Sequence, residues 1–418
     1  MKETTKARIE PFLAFTLILY ILPLKHSVTD FGYWLDWALA IHDHGITNVY
    51  RHGDDVNYHP IFLYMIWLYD VLMPTREHII ANINYLKIFP LIFDFLPVVV
   101  LCCFRQRLIQ EKIPYLFLIL NIAYLFNSVC WGQVDSIFTS LCFLALLTTL
   151  YRPSLGVVIY ILAFYTKFHS IMFLPVMFLI LAYKVRSWRG FLQVLLASVA
   201  TVTVVLLPFI IQGRAADVFN ATIKAVDFWP RVSVQAYNIW FLLVWGVPYD
   251  VFDSETFFIL TYKQTGLIMF LISSGLTLIP LTRRLLSLRL NNAPPDRALK
   301  QLLMITLGLI CFNFFYFNTQ MHERYIHPAL IMFFFYAVYS KNYIPYILIS
   351  VAYLMSLEKT FPDFLPIERN RILFSARAIA LLYTSTLVYT MVIFYRQHRL
   401  GYELKELRKL LFQWHAKP

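Results

Sequence analysis

Continuous apolar runs separated by short polar stretches fill the chain, and no segment keeps the in–out alternation of barrel strands. A backbone in lipid must satisfy its own polar groups, so each run predicts a helix. The first run, 12–24, follows Lys2, Lys6 and Arg8 with no small-x-small cleavage site after it. It predicts a retained helix with its basic end in the cytoplasm. A polar stretch over 25–59 holds Asp30, Asp36, Asp43, Asp54 and Asp55 with His26, His42, His44, His52 and His59, and predicts an extracytoplasmic segment. The run 60–73 falls short of the about 20 residues a crossing needs and is closed by Pro74. It predicts an interfacial or re-entrant helix, which also keeps Arg105, Arg107 and Lys112 on the inner side. Residues 25–83 are thus expected to form one first extracytoplasmic loop with interfacial helices.

Further spans are expected near 85–104, 113–130, 134–151, 154–167, 170–184, 191–212, 258–282, 301–318, 328–340, 343–357 and 371–396. With 12–24 they make about twelve, both termini inside. The fold class is all-α: one polytopic membrane domain over 1–418, with no internal repeat and no linker. A basic tail over 397–418 is cytoplasmic, and its amphipathic part, 402–414, suits an anionic inner leaflet.

Composition sharpens this picture. Hydrophobic residues are 59% of the chain and charged residues 14%, too few charges to clothe a soluble enzyme of 418 residues. The net charge of +12 is explained by Lys and Arg in cytoplasmic loops, so no nucleic-acid partner is expected. Cys102, Cys103, Cys130, Cys142 and Cys311 lie in or beside apolar runs without metal-ligand spacing.

On this topology the unusual polar residues gather on the outer face: 25–59, Trp131 to Ser136, Thr166 to Ser170, 213–237 and Met321 to Tyr325. The inner face is expected to carry mainly solvated Lys and Arg. Ionisable groups at membrane depth cost several kcal/mol unless paired or wet, which makes them functional candidates. The sequence contains no Walker A motif, no nucleotide-binding glycine pattern, no HExxH and no Cys/His zinc spacing. A carboxylate base beside Lys, Arg and His suits attack by a hydroxyl on an activated sugar carried by a lipid phosphate. No metal ligands are assigned and no cofactor is required. Mg²⁺ or Mn²⁺ on the first-loop acids stays open, without the spacing of an EF-hand.

Four local motifs carry a resemblance. They are Asp30 and Trp37 just after the first helix, Asn57-Tyr58-His59-Pro60, Trp131-Gly132-Gln133-Val134-Asp135, and His322-Glu323-Arg324-Tyr325. In this order and topology the chain resembles the GT-C superfamily of polyprenyl-phosphate-sugar-dependent glycosyltransferases. Within it, the chain is similar to mannosyltransferases related to the second mannosyltransferase of glycosylphosphatidylinositol-anchor synthesis. It departs from them at Asn57 and His59, where those families often have Asp-Tyr-Pro-Pro. The resemblance implies an inverting transfer of a hexose, mannose first, from a dolichyl- or undecaprenyl-phosphate donor to a glycan, lipid or protein acceptor. The active site would be extracytoplasmic, in a bacterial or archaeal cell membrane or the endoplasmic reticulum. Asp30 is the expected base and Asp36 the runner-up, with Lys167, His322 and Arg324 on the donor phosphate. Gln133, Asp135, Asn57, His59 and Asn238 are candidates for substrate hydroxyls or for shaping the site. Asp30 and His322 are expected to reach a common cavity. The rival classes are a flippase or transporter of lipid-linked saccharides, and a ligase or polymerase using diphosphate-linked donors.

Overall fold

The structure is a computed structural model that describes Thr16, Ile18, 30–108, 113–362, Leu365 and 370–415. The expected first helix over 12–24 and its basic flank, together with Lys112, otherwise lie outside the described residues. Helix accounts for 76% and strand for 2%, which makes the fold all-α. Two compact units interleave along the chain. One comprises 1–110, 115–171 and 186–228; the other comprises 111–114, 172–185 and 229–418.

In the first unit, α1 (Asp30–His44) buries Phe31, Trp34, Trp37, Ala38 and Ile41 along one helical stripe. It packs on α2 (Pro60–Leu72), a 13-residue helix too short to cross a bilayer, as its sequence predicts. Trp34 meets Trp37, Tyr58 and Phe62 edge-on at centroid distances of 5.1, 5.2 and 4.9 Å, the geometry aromatic quadrupoles favour. The long α3 (Ile88–Leu108) lies against α4 (Asp135–Thr149), which is buried on nearly every side. α5 (Pro153–Phe164) packs on α4 through Gly156, where a Cβ would collide with Thr149. The expected span 113–130 is instead two short helices, Leu116–Ile119 and Ile122–Val129. Asn121 breaks them: its side chain accepts from the Tyr124 N–H and caps the second.

Next along the chain, α6 (Leu174–Lys184) belongs to the second unit, and α7 (Trp188–Ile211) returns to the first. α7 buries only Val205 and Phe209, so most of its apolar surface is exposed. The stretch 213–237, expected as a loop, contains α8 (Ala215–Val226). Its Val218 and Ala221 are buried, whereas Phe219, Ile223 and Val226 at i, i+4 and i+7 are exposed. That amphipathic pattern explains the helix.

In the second unit, the hairpin of β1 (Thr256–Phe257) and β2 (Leu260–Thr261) leads into α9 (Tyr262–Leu290). A capping box between Thr261 and Gln264 starts α9. α10 (Arg297–Phe317) and α11 (His327–Ser340) form its buried centre, with Gly308 pressed on Phe333 where a Cβ would sit 2.6 Å from the ring. α12 (Ile344–Thr360), α13 (Ala376–Gln397) and α14 (Leu400–His415) complete the unit. α14 lies along α9, tied by a Glu403–Arg283 ion pair and by Arg289 over the Trp414 ring at 4.7 Å. The cations expected to be solvated are engaged instead. Arg284 pairs with Asp296, Arg297 donates to the Tyr339 carbonyl at 2.7 Å, and Arg289 donates to the Ala182 and Val185 carbonyls. Those carbonyls end α6, where the helix dipole favours a cation.

Among the described residues, five helical runs are long and apolar enough to cross a membrane: Arg76–Phe104, Trp188–Ile211, Tyr262–Leu290, Arg297–Phe317 and Ala376–Gln397. The runs expected at 134–151, 154–167, 170–184, 328–340 and 343–357 form helices of 11 to 17 residues. These lengths are shorter than the about 20 residues of a typical crossing.

Candidate functional site

In the first unit the run from Trp131 to Asp135 organises the polar residues. Gly132 sits at φ +70, a conformation L side chains rarely adopt, and a Cβ there would overlap the Phe31 ring. The turn sends two consecutive polar groups to different partners. Gln133, fully buried, is held by its N–H to the Asn127 carbonyl at 2.8 Å, and its Nε2 donates to Asp30 Oδ2. Two residues on, Asp135 opens α4 and takes Lys167 Nζ at 2.5 Å, with Asn127 Nδ2 donating to its other oxygen at 3.4 Å. Lys167 lies near the rings of Tyr58 and Phe138, 5.8 Å from each centroid. Four residues singled out from the sequence, Asp30, Gln133, Asp135 and Lys167, therefore form one neighbourhood of two linked acids, an amide and a cation. Lys167 does not snorkel to an interface. At 6% exposure its ammonium turns inward to Asp135, at 1%, because a charge so far from water needs a counter-charge.

The other first-unit candidates, Asp36, Asn57 and His59, lie on α1 and before α2. Asp36 accepts the Asp54 N–H at 2.6 Å and Trp37 Nε1 donates to the Asp54 carbonyl at 2.7 Å, so both fasten the segment after α1. His59 is buried and extended before Pro60, and its Nδ1 donates to the Phe164 carbonyl at 2.8 Å. Its Nε2 meets the Thr222 hydroxyl at 3.0 Å, so one imidazole joins three segments. Burial lowers the His59 pKa, opposed by the Phe164 carbonyl, and the ring is held toward its neutral form. Asn57 is half-buried beside it. The first-loop acids Asp43 and Asp70 have separate partners, Arg76 and His42, and Arg51 of the same loop pairs with Asp217 of α8. Among the described residues no three His, Cys, Asp or Glu side chains gather as a metal site.

Two buried residues here are not marked by the motifs above. Lys87 is fully buried with its Nζ 5.4 Å from the Phe31 centroid, and its stem passes close to Gly132. Asp94, inside α3, accepts from the Ser128 hydroxyl. Both are ionisable residues inside an apolar run, the signal that would have found them.

In the second unit, the segment from Arg231 to Gln235 fixes the His322 backbone. The Gln320 N–H donates to the Arg231 carbonyl at 2.9 Å and the Val234 N–H to the Met321 carbonyl at 2.9 Å. His322 Nδ1 lies 3.4 Å from Arg324 Nη1, which also donates to Glu323 Oε1 at 3.0 Å. The Glu323–Arg324 pair lies within one short 3₁₀ turn, Glu323–Ile326, and does not clamp two helices together. Tyr237, not singled out from the sequence, is buried nearby in the left-handed region at φ +45. Burial, with the Glu323 charge adding to it and a Thr360 hydrogen bond opposing, pushes its phenol up to about 12. Asn238 is held by the backbone at the end of α10. It is fully buried, and its Nδ2 donates to the Phe315 and Asn318 carbonyls at 3.0 and 3.3 Å, capping the end of α10. Trp240 Nε1 donates to the Phe317 carbonyl at 3.0 Å at the same end.

A scan against protein-family models finds no match to this chain, and a search of the curated proteins finds none.

Proposed function

We propose that the protein is a multi-pass membrane glycosyltransferase. It moves a hexose, mannose first, from a polyprenyl- or dolichyl-phosphate to an acceptor hydroxyl at the extracytoplasmic face. In this reading Asp30 takes the acceptor proton as the acceptor oxygen bonds to the anomeric carbon. The bond from that carbon to the phosphate oxygen breaks on the opposite side, its electron pair leaves with the lipid phosphate, and the anomeric centre inverts. Lys167 is assigned to the developing phosphate charge, and the sequence motif alone puts His322 and Arg324 forward as phosphate ligands. Glycan, lipid and protein hydroxyls are all candidate acceptors.

The observation that carries this reading is the coupling of Asp30 to Gln133, two residues from the buried Asp135–Lys167 pair. A base must be held in one orientation, and Gln133 does that for Asp30. A buried cation stabilises charge more strongly than a solvated one. The twelve-span count and the sidedness are part of the proposal, resting on the apolar runs and on the distribution of Lys and Arg.

The test is sugar transfer by purified full-length protein in detergent with polyprenyl-phosphate mannose and a panel of acceptors, product release being read directly. Asp30→Asn should lower turnover by about 10²–10⁴-fold, the range general acid–base groups contribute, with little change in thermal stability. Full turnover in that variant would remove the base assignment. In a parallel assay with the protein reconstituted into vesicles, lipid moved across the bilayer without sugar release would replace the enzyme with a flippase.

A further inference from the structure

The second unit carries an apolar protrusion that its own core does not explain. β1 and β2 pair Phe257 with Leu260, leaving a two-residue turn at Phe258 and Ile259. Two-residue hairpin turns select Gly, Asn or Asp, because at least one central residue takes a positive φ. Here the first position is a phenylalanine at φ +60. Phe258 is 88% exposed and Ile259 93%. Local propensity and solvation both oppose these residues at such a turn in water. A second loop adds Trp245 at 93% exposure, with Gly246 at φ +103 beside it and Val247 also exposed. Beneath the protrusion is a small core of Val232, Trp240 and Val244 with Phe257 and Tyr262 packed on it. The hairpin therefore stands on a rigid base.

We infer that this protrusion inserts into the hydrocarbon edge of the bilayer, with lipid acyl chains as its ligand. Continuity with α9 identifies the occupant. β2 runs through the cap Thr261 directly into α9, whose Leu267, Ile268, Leu271 and Ile272 are exposed apolar residues. Leu271 lies nine residues along α9 from Tyr262, about 14 Å at the helical rise, which is near mid-bilayer for a hydrocarbon core of about 30 Å. The hairpin tip then meets the membrane at the end of the same apolar surface. Trp245 occupies the position of an interfacial aromatic anchor. The inference rests on reading α9 as membrane-crossing, part of the function proposed above.

The experiment is residue-specific quenching in the full-length chain. Ile259→Cys and Leu271→Cys are each labelled with an environment-sensitive maleimide dye. Each is reconstituted into phosphatidylcholine vesicles whose acyl chains are either unmodified or brominated near the headgroup or near mid-chain. Wild-type protein taken through the same labelling gives the background from its own cysteines. Both side chains are exposed, so neither substitution disturbs packing. Dye at Ile259 should lose most of its emission to lipid brominated near the headgroup, and dye at Leu271 to lipid brominated at mid-chain. Quenching at Leu271 without quenching at Ile259 overturns the inference and leaves α9 in the membrane. Quenching at neither removes the crossing assignment of α9, and the inference with it. Ile259 emission that follows the protein-to-lipid ratio, and not bromination, would assign the protrusion to contact between copies and overturn it as well. A Trp245→Cys probe should show the same dependence on bromine depth as Ile259→Cys.

Discussion

At the residue scale, the buried Lys167–Asp135 pair has the largest expected consequence. Removing one partner leaves an uncompensated charge out of water, a cost of about 3–5 kcal/mol, whereas replacing both with apolar residues of similar volume is close to neutral. Lys167→Met alone should therefore unfold the protein at markedly lower temperature. Lys167→Met with Asp135→Leu should recover most of that stability and still lack sugar transfer. Thermal unfolding followed by turnover on the same samples separates the two effects. A double variant with wild-type turnover would make the pair a purely structural device. Gly132 makes a second case. Its φ of +70 and the Phe31 ring leave no room for a Cβ. Gly132→Ala should cost about 1–3 kcal/mol in strain and lower turnover by displacing Gln133 from Asp30, both measurable by unfolding and transfer assays.

At the element scale, His59 joins the start of α2, the end of α5 and α8 through its two ring nitrogens. Its folded pKa is lowered from 6.5, so below that value the unfolded chain binds more protons than the folded one. Stability on this account is complete above the unfolded pKa and declines as pH falls below it. Melting temperature should drop as the buffer moves from about pH 7 to about pH 5, the window of histidine titration. His59→Asn should flatten that part of the profile. An unchanged slope would show that other groups set the acid sensitivity. α8 itself was hidden from the sequence because its apolar stripe is short and lies between polar residues, whereas α9 to α11 announce themselves by long uninterrupted runs. Asn121 similarly cut an expected span in two, since a capping side chain acts over a single turn and hydropathy averages over many.

At the scale of the whole molecule, α9 offers a direct check of orientation. Ser254 precedes it and Asn292 follows it, both exposed. In intact cells a membrane-impermeant maleimide should label Ser254→Cys, and it should label Asn292→Cys only after lysis. Labelling of both without lysis would refute the crossing. The apolar runs alone fixed the all-α class, because lipid allows a backbone no other continuous solution and the chain shows no barrel alternation. They also marked Asp30, Gln133, Asp135, Lys167, His322 and Arg324 as polar groups in expensive surroundings. Which of these meet was decided only in three dimensions. Gln133 reaches Asp30 across 103 residues and Lys167 reaches Asp135 across 32, while Asn238, Asp36 and His59 bond the backbone of loops and helix ends. A sequence records that a buried polar group needs a partner, but the choice of partner depends on which helices pack together. That choice belongs to the tertiary structure, because packing energy is shared among many distant residues and no local pattern contains it.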